Sequence, residues 1–171
     1  MKNIILVGFM GSGKSTVGQA LSRRLGVPFF EMDAEIERLS GKKIPEIFKD
    51  FGEEKFREWE YLTLREALKQ EGVTATGGGV ISTDNSLSVL KEANNVVYLK
   101  GRFSTLLTHI NEDTQNIRPL AEGKQKQHLE SLFHSRLEKY EEVANISVPI
   151  DDLSIEEIVE NILIQMEALN Q

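Results

Sequence analysis

Residues 8–15 read Gly-Phe-Met-Gly-Ser-Gly-Lys-Ser, the spacing G-x-x-x-x-G-K-[ST]. Glycines so placed let the backbone curl until successive N–H groups face inward, a cradle for anionic oxygens. Lys14 adds a point charge suited to β- and γ-phosphates, and Ser15 an oxygen suited to Mg²⁺. Gly11, Ser12, Gly13, Lys14, Ser15 and Thr16 are the candidate nucleotide-binding residues. A merely flexible Gly/Ser loop is the bland alternative. The apolar run before the loop and the helical pattern after it argue against that alternative.

Five other places carry chemistry-bearing types. Asp33 follows a short apolar run and reads either as a helix cap or as a carboxylate beside a hydroxyl that it orients and deprotonates. Its strand is expected beside the loop strand, where ligands of open α/β sheets collect. Gly77-Gly78-Gly79 is either a plain break after a strand or a place where backbone N–H groups approach a ligand. Arg57 and Arg136, on helical segments rich in glutamate, read on their own as solvated partners of nearby acids. Arg118 precedes Pro119 in a polar stretch and reads as a loop arginine or as a cation that arrives when the loop closes.

The elements that must position these residues alternate strand-length apolar runs with helical periods, the pattern of an α/β fold with a mainly parallel sheet. Strands are expected at Ile4–Val7, Phe29–Met32, Val73–Thr76, Asn95–Leu99 and Ile146–Ile150. Helices are expected at Lys14–Leu25, over 34–71 with interruptions at Gly41, Pro45 and Gly52, over 125–142, and from Ser154 onward with Glu157 completing a capping box. Residues 111–126 are polar, with Pro119 and Gly123, and read as a linker or a mobile lid.

The 171 residues suit one domain, and 40% hydrophobic residues suffice for a core. A net charge of −7 disfavours nucleic acid and anionic membrane as partners, so an anionic substrate would need local arginines. No cysteine is present, which excludes disulfides and thiolate metal sites. The first apolar run is too short for a signal peptide and none is long enough to span a membrane, so a cytoplasmic protein is expected. No apolar stripe is left over after the core assignments, and a monomer is expected. The motifs of a GTPase, Asn-Lys-x-Asp and Asp-x-x-Gly, do not occur.

From Met1 to about Ile150 the chain resembles the shikimate kinase family. The likeness is carried by the loop from Gly8 to Gly18, Asp33, Phe56-Arg57-Glu58, Gly77-Gly78-Gly79, Arg118-Pro119-Leu120, and Arg136 with Tyr140. It implies a three-layer P-loop kinase fold, a five-stranded parallel sheet flanked by helices, with a substrate-binding helical insertion at 34–61 and a lid at 111–126. It implies ATP and Mg²⁺, and transfer of the γ-phosphate to the 3-hydroxyl of shikimate, in aromatic amino-acid biosynthesis. By the same resemblance Asp33, Lys14 and Arg118 are catalytic, Arg118 also meets the nucleotide, and Asp33, Arg57, Gly77, Gly78, Gly79 and Arg136 hold the substrate. Ser15 is the metal ligand.

Two departures stand out. The family has Asp-x-Asp where this chain has Glu31-Met32-Asp33, and no arginine precedes the lid in Leu107-Thr108-His109-Ile110-Asn111. Stacking on the base is expected from His109 or from the lid. A kinase for gluconate or a nucleoside monophosphate, and a nucleotide sensor without turnover, are the competing readings.

Overall fold

Ile4–Val7 (β1) has no solvent exposure and forms the middle of a parallel sheet in the computed structural model, which describes residues 3–112 and 123–171. The five strands run in the order β2–β3–β1–β4–β5, with β2 at Phe29–Glu31, β3 at Val73–Ala75, β4 at Val96–Lys100 and β5 at Ile146–Pro149. Ile5 stands level with Thr74 on one side and Val96 on the other, so the continuous apolar runs are enclosed as parallel strands require. Helix α1 (Lys14–Leu25) packs on α7 (Ile155–Leu169), while α3 (Ile44–Ala67), α4 (Asp84–Glu92) and α6 (Gly123–Val143) pack in succession as another layer. The three-layer expectation holds.

The strand order corrects one expectation. β2 is an edge strand, and β3 lies between it and β1. Run lengths and composition carry no information on which strands pair, so the order could not be read from them. α2 (Met32–Ser40) also starts earlier than expected, which places Asp33 in its first turn. A carboxylate there suits the positive end of the helix.

The interruptions in the long helical stretch each have a cause. Gly41 ends α2 in the left-handed conformation, and Pro45 sits in the first turn of α3, where its missing N–H does no harm. Gly52 has φ 81° and ψ 170°, which kinks α3 in a conformation that glycine alone adopts readily. Ser154 and Glu157 form the expected reciprocal cap. A 3-10 turn at Val80–Ser82, α4, and α5 (Phe103–Glu112) were not anticipated.

Most buried apolar side chains form one core around the sheet, including Phe9, Leu21, Tyr98 and Tyr140. Ile36, Ile47 and Phe56 form a separate nucleus between α2 and α3, with Trp59 half-buried against it. His128 and His134 are exposed on α6, as expected. Among the described residues no helix is long and apolar enough to cross a membrane. Of the expected lid, Asn111 and Glu112 close α5 and residues 123–126 open α6. Arg118 and the rest of residues 113–122 lie outside the described residues.

Candidate active site

The loop after β1 is held closely by its neighbours. Gly11, with φ 80°, leaves no room for a Cβ, which would stand 2.6 Å from the Leu106 carbonyl oxygen of α5. Gly13 caps α1, so Lys14, Ser15 and Thr16 open that helix with its positive end at the loop mouth. The Lys14 ammonium donates to the carbonyls of Gly8 at 2.6 Å and Phe9 at 3.1 Å. Burial pushes its pKa down to about 8, partly offset by the carboxylates of Asp33 and Glu31, with the Arg136 cation acting in the same direction as burial. The Ser15 hydroxyl donates to Glu31 Oε2 at 2.5 Å. The extra methylene of Glu31, relative to aspartate, thus brings its carboxylate onto the serine.

A second group of side chains meets at the glycine loop after β3. A Cβ at Gly77 would stand 3.0 Å from Asp33 Oδ1 and 3.4 Å from Glu60 Oε2, and one at Gly78 would stand 3.6 Å from Arg136 Nη1. Arg57 Nη1 donates to Glu60 Oε1 at 2.9 Å and to the Gly79 carbonyl at 3.0 Å, and Nη2 approaches Glu53 at 3.3 Å. Arg136 has its guanidinium 5.9 Å from the Phe9 ring centroid, beside the phosphate loop. Burial raises the Asp33 pKa above the ordinary carboxylate value, with Lys14 and Arg57 opposing and Glu37 assisting.

Of the residues expected to hold an acceptor, Asp33, Arg57, Gly77, Gly78, Gly79 and Arg136 are brought together. The solvated alternative for Arg57 fails: its side chain is 13% exposed, and its partner Glu60 only 1%. Sequence reasoning missed Glu60 by treating the acidic runs of α3 as solvated. The signal was there: Glu60 lies at helical spacing on the buried stripe Phe56, Thr63, Leu64 and Ala67.

On the other side of the phosphate loop, the His109 ring Nδ1 lies 2.8 Å from the Gly11 carbonyl. His109 lines a cavity of about 510 Å³ with Ser12, Gly13, Thr105, Ile150 and Ile155, large enough for a nucleoside base. These isoleucines, with Ile158, give it apolar surface that the sequence did not point to.

A parallel α/β sheet whose first strand runs into a phosphate loop, with a carboxylate and two guanidiniums gathered at the glycine loop beside it, defines a P-loop phosphotransferase. The shikimate kinase family model matches residues 10–167. A shikimate kinase of Enterococcus faecalis is 40% identical over 98% of this chain and 99% of its own length. The solved shikimate kinase of Acinetobacter baumannii, in complex with shikimate, superposes with a TM-score of 0.89 at 36% identity, covering 98% of this chain and 94% of that one. That of Aquifex aeolicus superposes at 0.83 with 35% identity over 96% of each chain. The chain belongs to the shikimate kinase family.

The tight contact at Gly79 yields a prediction. Its φ of −93° suits alanine, yet a Cβ would fall 2.5 Å from Arg57 Nη2. Gly79→Ala should therefore displace the guanidinium without straining the backbone. We expect KM for an anionic acceptor to rise roughly tenfold, the scale of one charge-assisted hydrogen bond, with ATP affinity unchanged. Steady-state kinetics with each substrate varied in turn would show it, and equal losses for both substrates would speak against it.

Proposed function

We infer that this chain transfers the γ-phosphate of ATP to the 3-hydroxyl of shikimate, giving shikimate 3-phosphate and ADP, a step of aromatic amino-acid biosynthesis. The observation that carries this reading is the placement of Asp33, Arg57 and Arg136 around one glycine loop beside Lys14. Two guanidiniums can fork onto the carboxylate of the acceptor, which explains how a chain of net charge −7 holds an anion.

In the mechanism proposed, the loop amides of Gly11, Ser12 and Gly13, with Lys14 and Thr16, hold the phosphates. Asp33 orients the hydroxyl and accepts its proton as the bond to phosphorus forms. In a loose transition state orientation contributes more than proton removal. Arg118 is assigned to neutralise charge on the phosphoryl group from the lid. The helical stretch 34–61 and the glycine loop shape the acceptor side, and His109 borders the base.

Ser15 and Glu31 offer oxygen donors of the hard type that Mg²⁺ prefers, and these fit the ion. When bound, Mg²⁺ supplies positive charge against the β- and γ-phosphates. We further propose a cytoplasmic monomer, since the acidic charge keeps copies apart. Light scattering should give a 19.3 kDa species.

The test is ADP release by the purified chain with shikimate, gluconate or a nucleoside monophosphate as acceptor. Shikimate should exceed the others in kcat/KM by roughly 10²-fold or more, as expected of a site built to pair a carboxylate. Comparable turnover of gluconate would remove the assignment.

Lys14 gives a pH prediction. Its folded pKa of about 8 lies below the ordinary lysine value of 10.5, so phosphate binding, which favours the ammonium, raises it. Nucleotide binding should take up protons above about pH 8, and affinity should fall as pH rises through that value. Between pH 8 and 10.5 the unfolded chain binds more protons at this residue, so the same group adds stability to the free protein as pH rises. Calorimetry in buffers of different ionisation enthalpy measures the uptake. A value near zero at pH 8.5 would contradict the assignment of Lys14.

A further inference from the structure

We propose that Tyr140 is a positioning residue for the acceptor: its hydroxyl fixes the Gly78–Gly79 peptide so that the Gly79 N–H faces the carboxylate of shikimate. The inference rests on the function proposed above.

Tyr140 is fully buried on α6, and its hydroxyl donates to the Gly78 carbonyl at 2.5 Å. Its ring stacks on Tyr98 of β4, with centroids 5.2 Å apart and planes 26° apart, and Tyr98 is 1% exposed. The phenol is thereby clamped between a strand and a helix, and its oxygen has a fixed position. A planar trans peptide directs its N–H opposite to its C=O. Holding the Gly78 oxygen against the core therefore turns the Gly79 N–H away from the core. Among the described residues that N–H has no acceptor, and neither has that of Gly78.

The surroundings identify what it faces. The guanidinium of Arg57 lies against the Cα of Gly79 and binds the Gly79 carbonyl, and Arg136 Nη1 lies near Gly78. Arg136 and Tyr140 are one helical turn apart, on the same face of α6. One turn of helix thus supplies a guanidinium for the anion and a phenol that sets the amide beside it. Three successive glycines can adopt many conformations, so a loop without this anchor would present its N–H in many directions. A side chain at Gly77 or Gly79 would limit that freedom but would meet Asp33 or Arg57. The phenol supplies order from outside the pocket.

Tyr140→Phe keeps the ring stack and removes only the hydroxyl. Steady-state kinetics should show KM for shikimate raised roughly tenfold, equivalent to about 1.4 kcal/mol. KM for ATP and kcat should stay within about twofold, the signature of lost binding rather than lost chemistry. Tyr98→Phe, which removes a hydroxyl from the same stacked pair but not from the loop, should leave all constants unchanged.

The inference is overturned if KM for shikimate in Tyr140→Phe stays within about twofold of wild type, or if both KM values rise together. It is equally overturned if the variant loses its fold at the assay temperature, since the hydroxyl would then serve stability. A wild-type chain inactive on shikimate removes the function itself, and the wild-type arm reports that separately.

Discussion

Asp33→Asn should lower kcat by about 10²–10⁴-fold, the range for loss of a positioned acid–base group, while ATP binds as before. Asparagine keeps the shape but loses the carboxylate charge, and with it both the strong hydrogen bond that orients the hydroxyl and the site that takes its proton. Asp33 is well placed for that role. It lies in the first turn of α2, against Gly77, within electrostatic reach of Lys14 and Arg57. Burial raises its pKa above 3.8, which makes it a better proton acceptor than a free aspartate. It must be ionised to act, so the acid limb of the kcat–pH profile should lie above that value and vanish in the variant. Raised burial also makes the ionised form costly in the folded state. Stability from this group is accordingly greatest at low pH and declines as pH rises toward its folded pKa. A variant within about threefold of wild-type kcat would show that Asp33 only shapes the pocket.

The second large effect concerns Arg57. Arg57→Ala should weaken shikimate binding by about 2–5 kcal/mol, roughly thirtyfold or more, because the carboxylate loses a desolvated partner. It should also destabilise the chain, because Glu60 is left buried without its cation. Loss of one member of a buried pair costs about 3–5 kcal/mol, with the lower end expected here because Glu60 can protonate. Burial already raises its pKa, and Arg57 is the main opposing influence. Removing Arg57 raises that pKa further, so the variant should regain stability as pH falls and Glu60 takes up a proton. The double variant Arg57→Ala/Glu60→Leu should recover melting temperature but not shikimate binding. Recovery of both would mean that the pair serves only the fold. Arg57→Lys is expected to rescue poorly, since an ammonium cannot fork onto a carboxylate.

What could be read from the residues differs by kind. The phosphate loop was legible because its chemistry depends on consecutive residues, whose spacing fixes the geometry whatever the remaining fold. Arg57 and Arg136 were not legible in that way. Each sits in a charged helix, and only the family resemblance set them apart from solvated neighbours. Their pocket is assembled by strand order, which places β3 and its glycines between β2 and β1. Glu60 was misread because charge pattern was weighed over burial period. Tyr140 was visible as part of a motif, but its bond to the Gly78 carbonyl spans distant segments that local patterning does not relate. The helices α4 and α5 were passed over although Leu90, Leu106 and Ile110 are buried at helical spacings.

The small nucleus of Ile36, Ile47 and Phe56 stands apart from the main core. Substitutions there should act first on the packing of α2 against α3, whereas the sheet that carries the phosphate loop is held by the main core, to which the two helices add Met32 and Leu64. The two halves of the reaction thus have separate tolerances to change. A lineage could retune which alcohol is received by drifting through one small hub, while the engine that delivers phosphate keeps its own foundations.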